Sequence, residues 1–511
     1  MEHKAIHGVR WTVLSYAVSK AVTVGATIVL ARLLAPADFG VVALGLLAVE
    51  SLSYLTGLGL GPALIVRQDL GHKGAATGMT LMALLGAGAG VVLFFAAPLV
   101  AAGFDEPRLT AVLRWLAATL PIASLASFYA TIIQRELEFR RRFLAQAAQV
   151  AAYAGVAITL AWTGAGVWSL VGGHIASSAG YLIAGLALSP HRVRPGFDRA
   201  AARGLCATGV GFTLQATAAF AQHNVDYLAI GRLLGSAPLG FYTMAFRLSE
   251  LPYYAIADPV AQVTFPRFSR MHAAGEDVGR AFLGALQVVA VASVPFGVIL
   301  AAAAEPFTLA VLGRPWLAMA GALSVLGLWG TVRPAQTMLS WFLNSVGYAR
   351  RVGALSVAMT VVLLPAVFAT AAWSGIVAVS WTVLTGLVVF ALALALVVRD
   401  ALGVGLQAQW GAVRAPAFGG TAAYFAGRVA VEVAGGAPAV LRLAAAVIAV
   451  LVTYAVVVTI SQPSLLPEAL RKLGRMAGQG DRSDEQTGAV PGLLGAATRP
   501  PPASPSVDEV P

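Results

Sequence analysis

The stretch ARLLAPADFG at residues 31–40 returns as GRLLGSAPLG at residues 231–240. The same offset of 200 residues aligns Glu50 with Glu250. Each copy lies between two long apolar runs, a pattern that predicts a tight corner between two membrane spans. One repeat at this distance, without shorter periods, predicts two homologous halves, and duplicated halves are common in secondary transporters.

The composition predicts the fold class, an all-α polytopic membrane protein. Of the 511 residues, 58% are hydrophobic and 11% are charged, which is unlike a soluble domain of this size. The apolar runs are continuous and predict about fourteen spans of about 20 residues each. The predicted spans are residues 11–34, 41–66, 77–101, 111–133, 143–162, 166–188, 205–230, 239–265, 281–304, 316–346, 352–373, 375–398, 412–433 and 438–460.

Lysine and arginine residues predict the orientation of these spans. With the N-terminus on the cytoplasmic side, 22 of the 34 basic residues fall in cytoplasmic connections and 7 at outside corners. This bias follows the positive-inside rule and predicts that both termini are cytoplasmic. Residues 11–34 are too long for the apolar core of a signal peptide and predict an uncleaved first span. The net charge of +11 resides largely in these connections, so no nucleic-acid partner is expected.

The repeat divides the chain into two lobes and three smaller parts. The predicted parts are an N-terminal lobe at residues 1–188, a cytoplasmic linker at 189–204, a C-terminal lobe at 205–400, two further spans at 401–460 and a cytoplasmic tail at 461–511. Each lobe holds six spans, so both halves point the same way and their symmetry axis runs along the membrane normal. The tail is rich in Gly, Pro and Ser and is predicted to be disordered, because it cannot bury enough apolar surface to fold.

Several motifs, in the same order along the chain, resemble those of one transporter family. They are GVRW (8–11), VLARLLAPADFGVVAL (29–44), QRELEFRR (134–141), NVDYLAIGRLLGSAPLGFYTMAFRL (224–248) and VTFPRFSR (263–270). In these stretches the chain resembles bacterial polysaccharide flippases of the Wzx type, within the multidrug/oligosaccharidyl-lipid/polysaccharide exporter superfamily. The resemblance covers about residues 5–460.

This resemblance implies a fold, a location and a cargo. The fold is a pair of six-helix lobes around a V-shaped central cavity in the bacterial inner membrane. The cargo is an undecaprenyl-diphosphate-linked oligosaccharide, moved from the cytoplasmic to the periplasmic leaflet for surface polysaccharide synthesis. Membrane lipids and the polysaccharide polymerase machinery are further expected partners.

Ionisable residues inside the predicted spans are candidates for function, because a charge near the bilayer centre costs at least about 2.5–3.5 kcal/mol on insertion scales. Three of them are cations, Lys20, Arg247 and Arg333. A diphosphate needs cations in a water-filled cleft, and arginine suits it because its forked donors match phosphate oxygens. These three residues are predicted to hold the diphosphate of the cargo.

A second set of polar residues is predicted to line the cavity or to couple transport to an ion. It consists of Glu50, Asn224, Asp226, Glu250 and Asp258. The chain has no GxxxxGK[ST] loop for ATP, so an H⁺ or Na⁺ gradient, the membrane potential or downstream use of the cargo has to supply the energy. No cofactor or metal site is expected, since HExxH is absent and the chain has a single cysteine.

Structural roles are open alternatives for several of these residues. Arg247 and Glu250 are three positions apart on one predicted helix and could neutralise each other. Glu50 and Glu250, in equivalent places, either line the cavity or brace the two corners. Asp226 and Asn224 could lie near the outer end of their span, where solvation is easy.

Four further residues are expected to be structural. Arg32 and Arg232, at the outside corners, are predicted to cap helix ends or to meet lipid headgroups. His174 and His223 are predicted to be packed or hydrogen-bonded rather than to carry protons.

Two other functions are alternatives to flipping. The related multidrug and toxin extrusion branch exports soluble cations, but its members usually have twelve spans and acidic, aromatic cavities. A membrane glycan polymerase or ligase would need a sizeable hydrophilic loop or domain, and every connection between the predicted spans is short.

Overall fold

The computed structural model describes residue 20 and residues 22–57, 59–67, 71–136, 138–189 and 192–463. The regular structure of these residues is helical throughout. The start of the first predicted span and the predicted tail from residue 464 onward lie outside the described residues. In chain order the helices are α1 Val22–Leu33, α2 Pro36–Thr56, α3 Leu60–Val66, α4 Gly71–Gly103, α5 Arg108–Ala117, α6 Thr119–Arg135, α7 Phe139–Trp162, α8 Val167–Leu188, α9 Arg199–Leu233, α10 Ser236–Ser249, α11 Asp258–Ala273, α12 Val278–Ala302, α13 Ala304–Phe307, α14 Ala320–Ser345, α15 Ala349–Leu402, α16 Leu406–Val433 and α17 Ala439–Ser461.

Most predicted spans coincide with helices, and glycines break the helical path at two places. The predicted span 41–66 is interrupted after Thr56, where Gly59 takes a left-handed conformation with φ 55°. The predicted spans 352–373 and 375–398 are the two arms of α15, and they meet at a sharp break at Gly375, which has φ 71° and ψ −167°. Glycine adopts such angles without steric cost because it has no Cβ atom.

Nine segments of the described chain are long and apolar enough to cross a membrane. One of them, α15, has 54 residues and therefore the length of two spans. The helices α9, α10 and α16 also lie at predicted spans, but they are shorter or more polar. The chain is an all-helical, multi-pass membrane protein.

The two copies of the repeated corner contact each other. Helices α2 and α10 cross where Gly40 faces the backbone of Ser236 and Gly240 faces the backbone of Pro36. A Cβ atom on Gly40 would lie 1.7 Å from the Ser236 carbonyl oxygen, and one on Gly240 would lie 1.9 Å from the Pro36 oxygen. Because the repeat pairs residue 36 with 236 and residue 40 with 240, the contact is reciprocal. Small residues at a helix crossing allow this close approach of two backbones.

Polar side chains join the two corners beside this crossing. The Ser236 hydroxyl donates a hydrogen bond of 2.7 Å to Glu106, which lies in the turn between α4 and α5. Arg108 donates to the same carboxylate at 3.0 Å and lies 3.9 Å from Asp38 on α2. The hydrogen bond from Arg108 lowers the pKa of the Glu106 carboxyl, so this group is ionised at neutral pH. The network holds both corners together at one end of the molecule.

A tryptophan and an arginine fasten the end of α1 to the C-terminal half. Trp316 is fully buried, and its indole N–H donates a hydrogen bond of 2.7 Å to the carbonyl of Ala31. Its ring meets that of Phe39 edge-on, with 5.2 Å between centroids. Arg32 donates a hydrogen bond of 2.8 Å to the carbonyl of Val311, in a π-helical turn. The predicted capping role of Arg32 is therefore confirmed.

The last two helices pack against α12 in the C-terminal half. The hydroxyl of Tyr454 on α17 donates a hydrogen bond of 2.9 Å to the carbonyl of Val291 on α12. On α16, Gly419 faces Val458 and Gly420 faces Val294, so α16 fits between α17 and α12. These helices extend the C-terminal half without reaching the corner crossing.

We expect Gly240→Ala to destabilise the crossing of α2 and α10. The added methyl group would overlap the Pro36 carbonyl, and overpacking of this kind costs about 1–3 kcal/mol. The apparent melting temperature of the purified protein in detergent should fall by about 1–3 °C, because the unfolding entropy of a chain of this length is large. Gly88→Ala in α4 is the matched control, because a Cβ atom there meets nothing within 4 Å. Equal melting temperatures for the two variants would contradict the close contact.

Candidate functional site

The candidate site begins where α10 ends. Glu250 follows α10 directly, and a π-helical turn at Tyr253–Ala257 leads into α11. Pro252 and Pro259 have no backbone N–H, so a regular α-helical hydrogen-bond ladder cannot run through this segment. The wider turn presents its two tyrosines to cations from other parts of the chain.

Glu250 has the three predicted cations around it. Arg333, Lys20 and Arg247 all lie within electrostatic range of its carboxylate, and the Tyr254 hydroxyl lies within hydrogen-bonding range. Lys20 precedes α1, Arg247 belongs to α10 and Arg333 belongs to α14. We call Lys20, Arg247, Arg333 and Glu250 the cation cluster.

Lys20 is held over an aromatic ring. Its ammonium nitrogen lies 3.8 Å from the centroid of the Tyr254 ring. Cation–π contacts of this kind contribute about 0.5–2 kcal/mol, more as the site becomes drier. Glu250 and Asp258 both attract the same ammonium group, so Lys20 connects the start of α1 with the π-helical turn.

Arg333 is positioned by polar and aromatic neighbours. Its guanidinium donates a hydrogen bond of 2.9 Å to the Gln336 side chain and lies 2.8 Å from Nε2 of His223 on α9. The guanidinium carbon lies 5.6 Å from the ring centroids of both Tyr253 and Trp329. Its Nε atom is buried and has no hydrogen-bond partner among the described residues, so this N–H of the guanidinium is available to a ligand.

Arg247 has an exposed side chain although the residues beside it on α10, Phe246 and Leu248, are buried. It lies within electrostatic range of Glu50 on α2 and of His174 on α8. Arg247 therefore faces helices of the N-terminal half across the space between the two halves. An ion pair between Arg247 and Glu250, the structural alternative, is not found within the described part of the chain.

Asp226 is not solvated near the end of its helix, so that alternative was wrong. Its side chain is 4% exposed, and it accepts a hydrogen bond of 2.7 Å from the Tyr242 hydroxyl and one of 3.0 Å from the backbone N–H of Tyr227. α9 continues for two further turns, so Asp226 is inside the packed helices. Asn224 is half-buried and donates to the carbonyl of Phe220 at 2.9 Å.

The remaining predicted acids lie at the edge of the cation cluster. Asp258 accepts a hydrogen bond of 3.0 Å from Gln262 and lies within electrostatic range of Lys20. Glu50 is exposed and faces Arg247, whereas Glu250 is half-buried among three cations. The two equivalent glutamates of the repeat therefore have different surroundings.

Both histidines have the packed or bonded positions that the sequence predicts. The ring of His174 meets that of Tyr153 edge-on, with 5.1 Å between centroids. His223 contacts Arg333, as described above. Arg232, the second corner arginine, is exposed at the last turn of α9.

Sequence reasoning missed the aromatic partners of the cations. Tyr253, Tyr254 and Trp329 all contact cluster residues. The tyrosine pair next to Pro252 and Glu250 was a usable signal, because aromatic rings beside buried charges often serve as cation partners. Trp329 was a similar signal, because it lies one helical turn before Arg333 on α14 and residues four apart are neighbours on a helix.

The cluster suits an anion better than a metal ion. Its centre has three positive groups around one carboxylate, and arginine and lysine have donors only. Within the described residues, no group of three or more His, Cys, Asp or Glu side chains could hold a metal. A small cavity of about 80 Å³ adjoins Arg333, between α9, α14 and α15, and Asp226 is among its lining residues.

Comparison with known proteins places the chain among transporters of polysaccharide synthesis. The family model described as "Polysaccharide biosynthesis protein" matches residues 29–321. The succinoglycan biosynthesis transport protein ExoT of Rhizobium meliloti (strain 1021) is 29% identical over 370 residues, 71% of this chain and 72% of ExoT. The lipopolysaccharide biosynthesis protein WzxC of Escherichia coli (strain K12) is 22% identical over 339 residues, 65% of this chain and 68% of WzxC.

A third relative matches a shorter stretch. The teichuronic acid biosynthesis protein TuaB of Bacillus subtilis (strain 168) is 25% identical over 279 residues. The match covers 54% of this chain and 58% of TuaB.

Two solved structures have a similar fold. The lipid II flippase MurJ, in an inward closed conformation, superimposes with a TM-score of 0.73 at 10% identity, over 89% of this chain and 99% of that chain. An inward-facing multidrug resistance MATE family transporter of the MOP superfamily superimposes with a TM-score of 0.59 at 18% identity, over 76% of this chain and 94% of that one. At these identities the likeness concerns the fold alone.

The helical bundle shares its fold with these two structures. The family match covers more than half of the chain and includes both copies of the repeated corner. This protein therefore belongs to the polysaccharide biosynthesis protein family of Wzx-type exporters and is a transport protein.

Proposed function

We propose that this protein flips an undecaprenyl-diphosphate-linked oligosaccharide from the cytoplasmic to the outer leaflet of the bacterial inner membrane. The cation cluster is the observation that carries the proposal. Three cations from separate parts of the chain lie within electrostatic range of Glu250, and charges inside predicted spans are expensive unless they serve a ligand or an ion path. The polysaccharide roles in the names of ExoT and WzxC support a glycan as the remainder of the cargo.

The architecture that we infer for this activity has about fourteen spans in two six-span lobes, at residues 1–188 and 205–400. Residues 189–204 would connect the lobes, and residues 401–460 would add two spans. The reciprocal contact of α2 and α10 supports a symmetry axis between the halves. The distribution of Lys and Arg supports cytoplasmic termini.

Alternating access would work by separating and rejoining the two corners. The crossing of Gly40 and Gly240, with the hydrogen bond from Ser236 to Glu106, closes the end that we assign to the outside. Cargo then enters from the cytoplasmic side, and its diphosphate replaces Glu250 as the partner of the cations. Opening of the crossing would release the cargo to the outer leaflet.

Export of a soluble cationic drug is the second candidate, and the fold alone permits it. The cation cluster disfavours export of a cationic drug, because three positive groups lie within electrostatic range of a single carboxylate. At the edge of the cluster, Glu50 attracts Arg247 and Asp258 attracts Lys20. These two carboxylates therefore do not form a separate site for a cation. We therefore place the diphosphate at the cluster and leave ion coupling by H⁺ or Na⁺ to the carboxylates.

We expect Arg247→Gln to slow flipping about 10- to 100-fold, because a hydrogen bond to a charged group is worth about 1.5–3 kcal/mol. The measurement is leaflet access of a fluorescent polyprenyl-diphosphate sugar in proteoliposomes. Arg247→Lys should retain part of the rate, since the charge remains but the fork is lost.

Arg428→Gln is the control for this experiment. Arg428 lies 3.8 Å from Glu432 on α16, and both side chains are largely exposed and outside the cation cluster. Its loss should leave the rate within about twofold, because an exposed pair contributes at most about 1 kcal/mol. Equal rates for the Arg247 and Arg428 variants, at equal protein levels, would contradict the role of Arg247.

We expect Glu250→Gln to separate binding from turnover. In this variant no carboxylate competes with the diphosphate for the cations. Polyprenyl diphosphate should therefore bind about tenfold more tightly, the size expected when one competing charged interaction is removed. Release should then become slow, and the flipping rate at saturating cargo should fall. Binding is measured by titration in detergent and the rate in proteoliposomes. Weaker binding in this variant would show that Glu250 supports the cargo site rather than competing with it.

A further inference from the structure

A second polar cavity lies in the N-terminal half, between α6, α7 and α8. Its volume is about 380 Å³, within the range of about 300–1,000 Å³ that is usual for small-molecule sites. Polar side chains from all three helices line it, and none of its lining residues in the described chain is acidic. They include Thr131, Gln134, Arg142, Gln149, Ser178 and Tyr181. We call this space the α6–α8 pocket.

The α6–α8 pocket lies on the same faces of α7 and α8 as two residues near Arg247. On α7, Gln149 lies one turn before Tyr153, and on α8, Ser178 lies one turn after His174 and donates to its carbonyl at 3.1 Å. Residues four positions apart share a helix face. Tyr153 and His174 contact each other and lie within electrostatic range of Arg247. Along these faces the pocket is therefore one helical turn from residues that lie within electrostatic range of Arg247.

The arginine of the pocket differs from its two basic neighbours. Arg140 is exposed, and Arg141 donates a hydrogen bond of 2.9 Å to the carbonyl of Leu188 and lies 3.7 Å from Glu138. Arg142 is half-buried and lines the pocket, and it forms no ion pair within the described residues. Any of these three arginines would serve as a topology signal. Of the three, only Arg142 lines the cavity.

The pocket has hydrogen-bonding capacity that the described residues do not use. The side chains of Gln149 and Tyr181 form no hydrogen bond with other described residues, and the Ser178 hydroxyl retains its acceptor sites. Polar groups in a membrane-spanning region are retained where they meet water or a polar ligand. Amides, hydroxyls and one aromatic ring suit the many hydroxyls of a sugar, and a lone guanidinium suits one negative group on it.

We propose that the α6–α8 pocket binds a sugar unit of the cargo that carries a carboxylate, and that Arg142 pairs with this carboxylate. This inference rests on the proposed function, since the sugar would be attached to the diphosphate held at the cation cluster. Arg142 lies eleven residues before Tyr153, about 16 Å along α7, so the pocket extends away from the diphosphate towards the glycan. The pocket would then select cargo by its glycan.

The test compares two synthetic fluorescent cargoes in proteoliposomes, a polyprenyl-diphosphate disaccharide of glucose and glucuronic acid and its glucose–glucose analogue. Arg142→Gln should lower the flipping rate of the acidic cargo about tenfold and that of the neutral cargo less than twofold. Arg140→Gln, the matched control, should change neither rate. Equal losses for both cargoes, or no loss for either, would overturn the inference.

A binding measurement separates failure of the pocket from failure of the proposed function. Saturation-transfer NMR with the free glucuronic acid–glucose disaccharide should give a signal with the wild type and with Arg140→Gln, and none with Arg142→Gln. If the wild type flips neither cargo but this signal is present, the pocket assignment holds and flipping is wrong. If the signal is absent, the pocket assignment is wrong. Competition by phosphatidylglycerol that removes the signal would assign the pocket to lipid headgroups instead and would also overturn the inference.

Discussion

Backbone-to-backbone contact between α2 and α10 is the constraint on which the two halves depend. Gly40 and Gly240 are the two residues that make it, and each faces a carbonyl of the other helix. In a lipid environment the hydrophobic effect does not drive helices together, so close packing and hydrogen bonds have to do so. The bond from Ser236 to Glu106 and the bond from Trp316 to Ala31 lie around the same crossing. The two halves are therefore packed closely together at this end of the molecule.

The cation cluster follows from the same arrangement. α10 carries Gly240 at its first turns and Arg247 two turns later, so the crossing that joins the corners also directs Arg247 towards α2 and α8. Glu250 at the end of α10 then receives Lys20 and Arg333 from either side. The charges offset one another in the absence of cargo, which lowers the cost of keeping them within the membrane-spanning region. The same charges are available to a diphosphate.

Much of this could be predicted from the sequence, because the relevant signals are local or repeated. Continuous apolar runs predicted helical spans, and the presence of Lys20, Arg247 and Arg333 in such runs marked them as unusual. The break at Gly59 could not be predicted, since a glycine in an apolar run is equally compatible with an unbroken helix. The break at Gly375, in contrast, falls where the predicted spans 352–373 and 375–398 meet.

Long-range partners were also beyond prediction. Asp226 looked like a residue near a helix end, but Tyr242, sixteen positions later, buries it and donates to it. The equivalent glutamates of the repeat have different surroundings, because Lys20, before α1, and Arg333 on α14 lie within electrostatic range of Glu250 and not of Glu50. Repetition in the sequence predicts a shared backbone path, whereas the side-chain environment depends on what packs against it.

The π-helical turn at Tyr253–Ala257 has a mechanical consequence. A π-helical turn holds one more residue than an α-helical turn, so the side chains that follow it are rotated by about 100° relative to the register of α10. Tyr253 and Tyr254, which contact Arg333 and Lys20, lie in this turn, and Glu250 lies just before it. Because both rings lie in one turn, a movement of α11 relative to α10 would reach both cation–π contacts together.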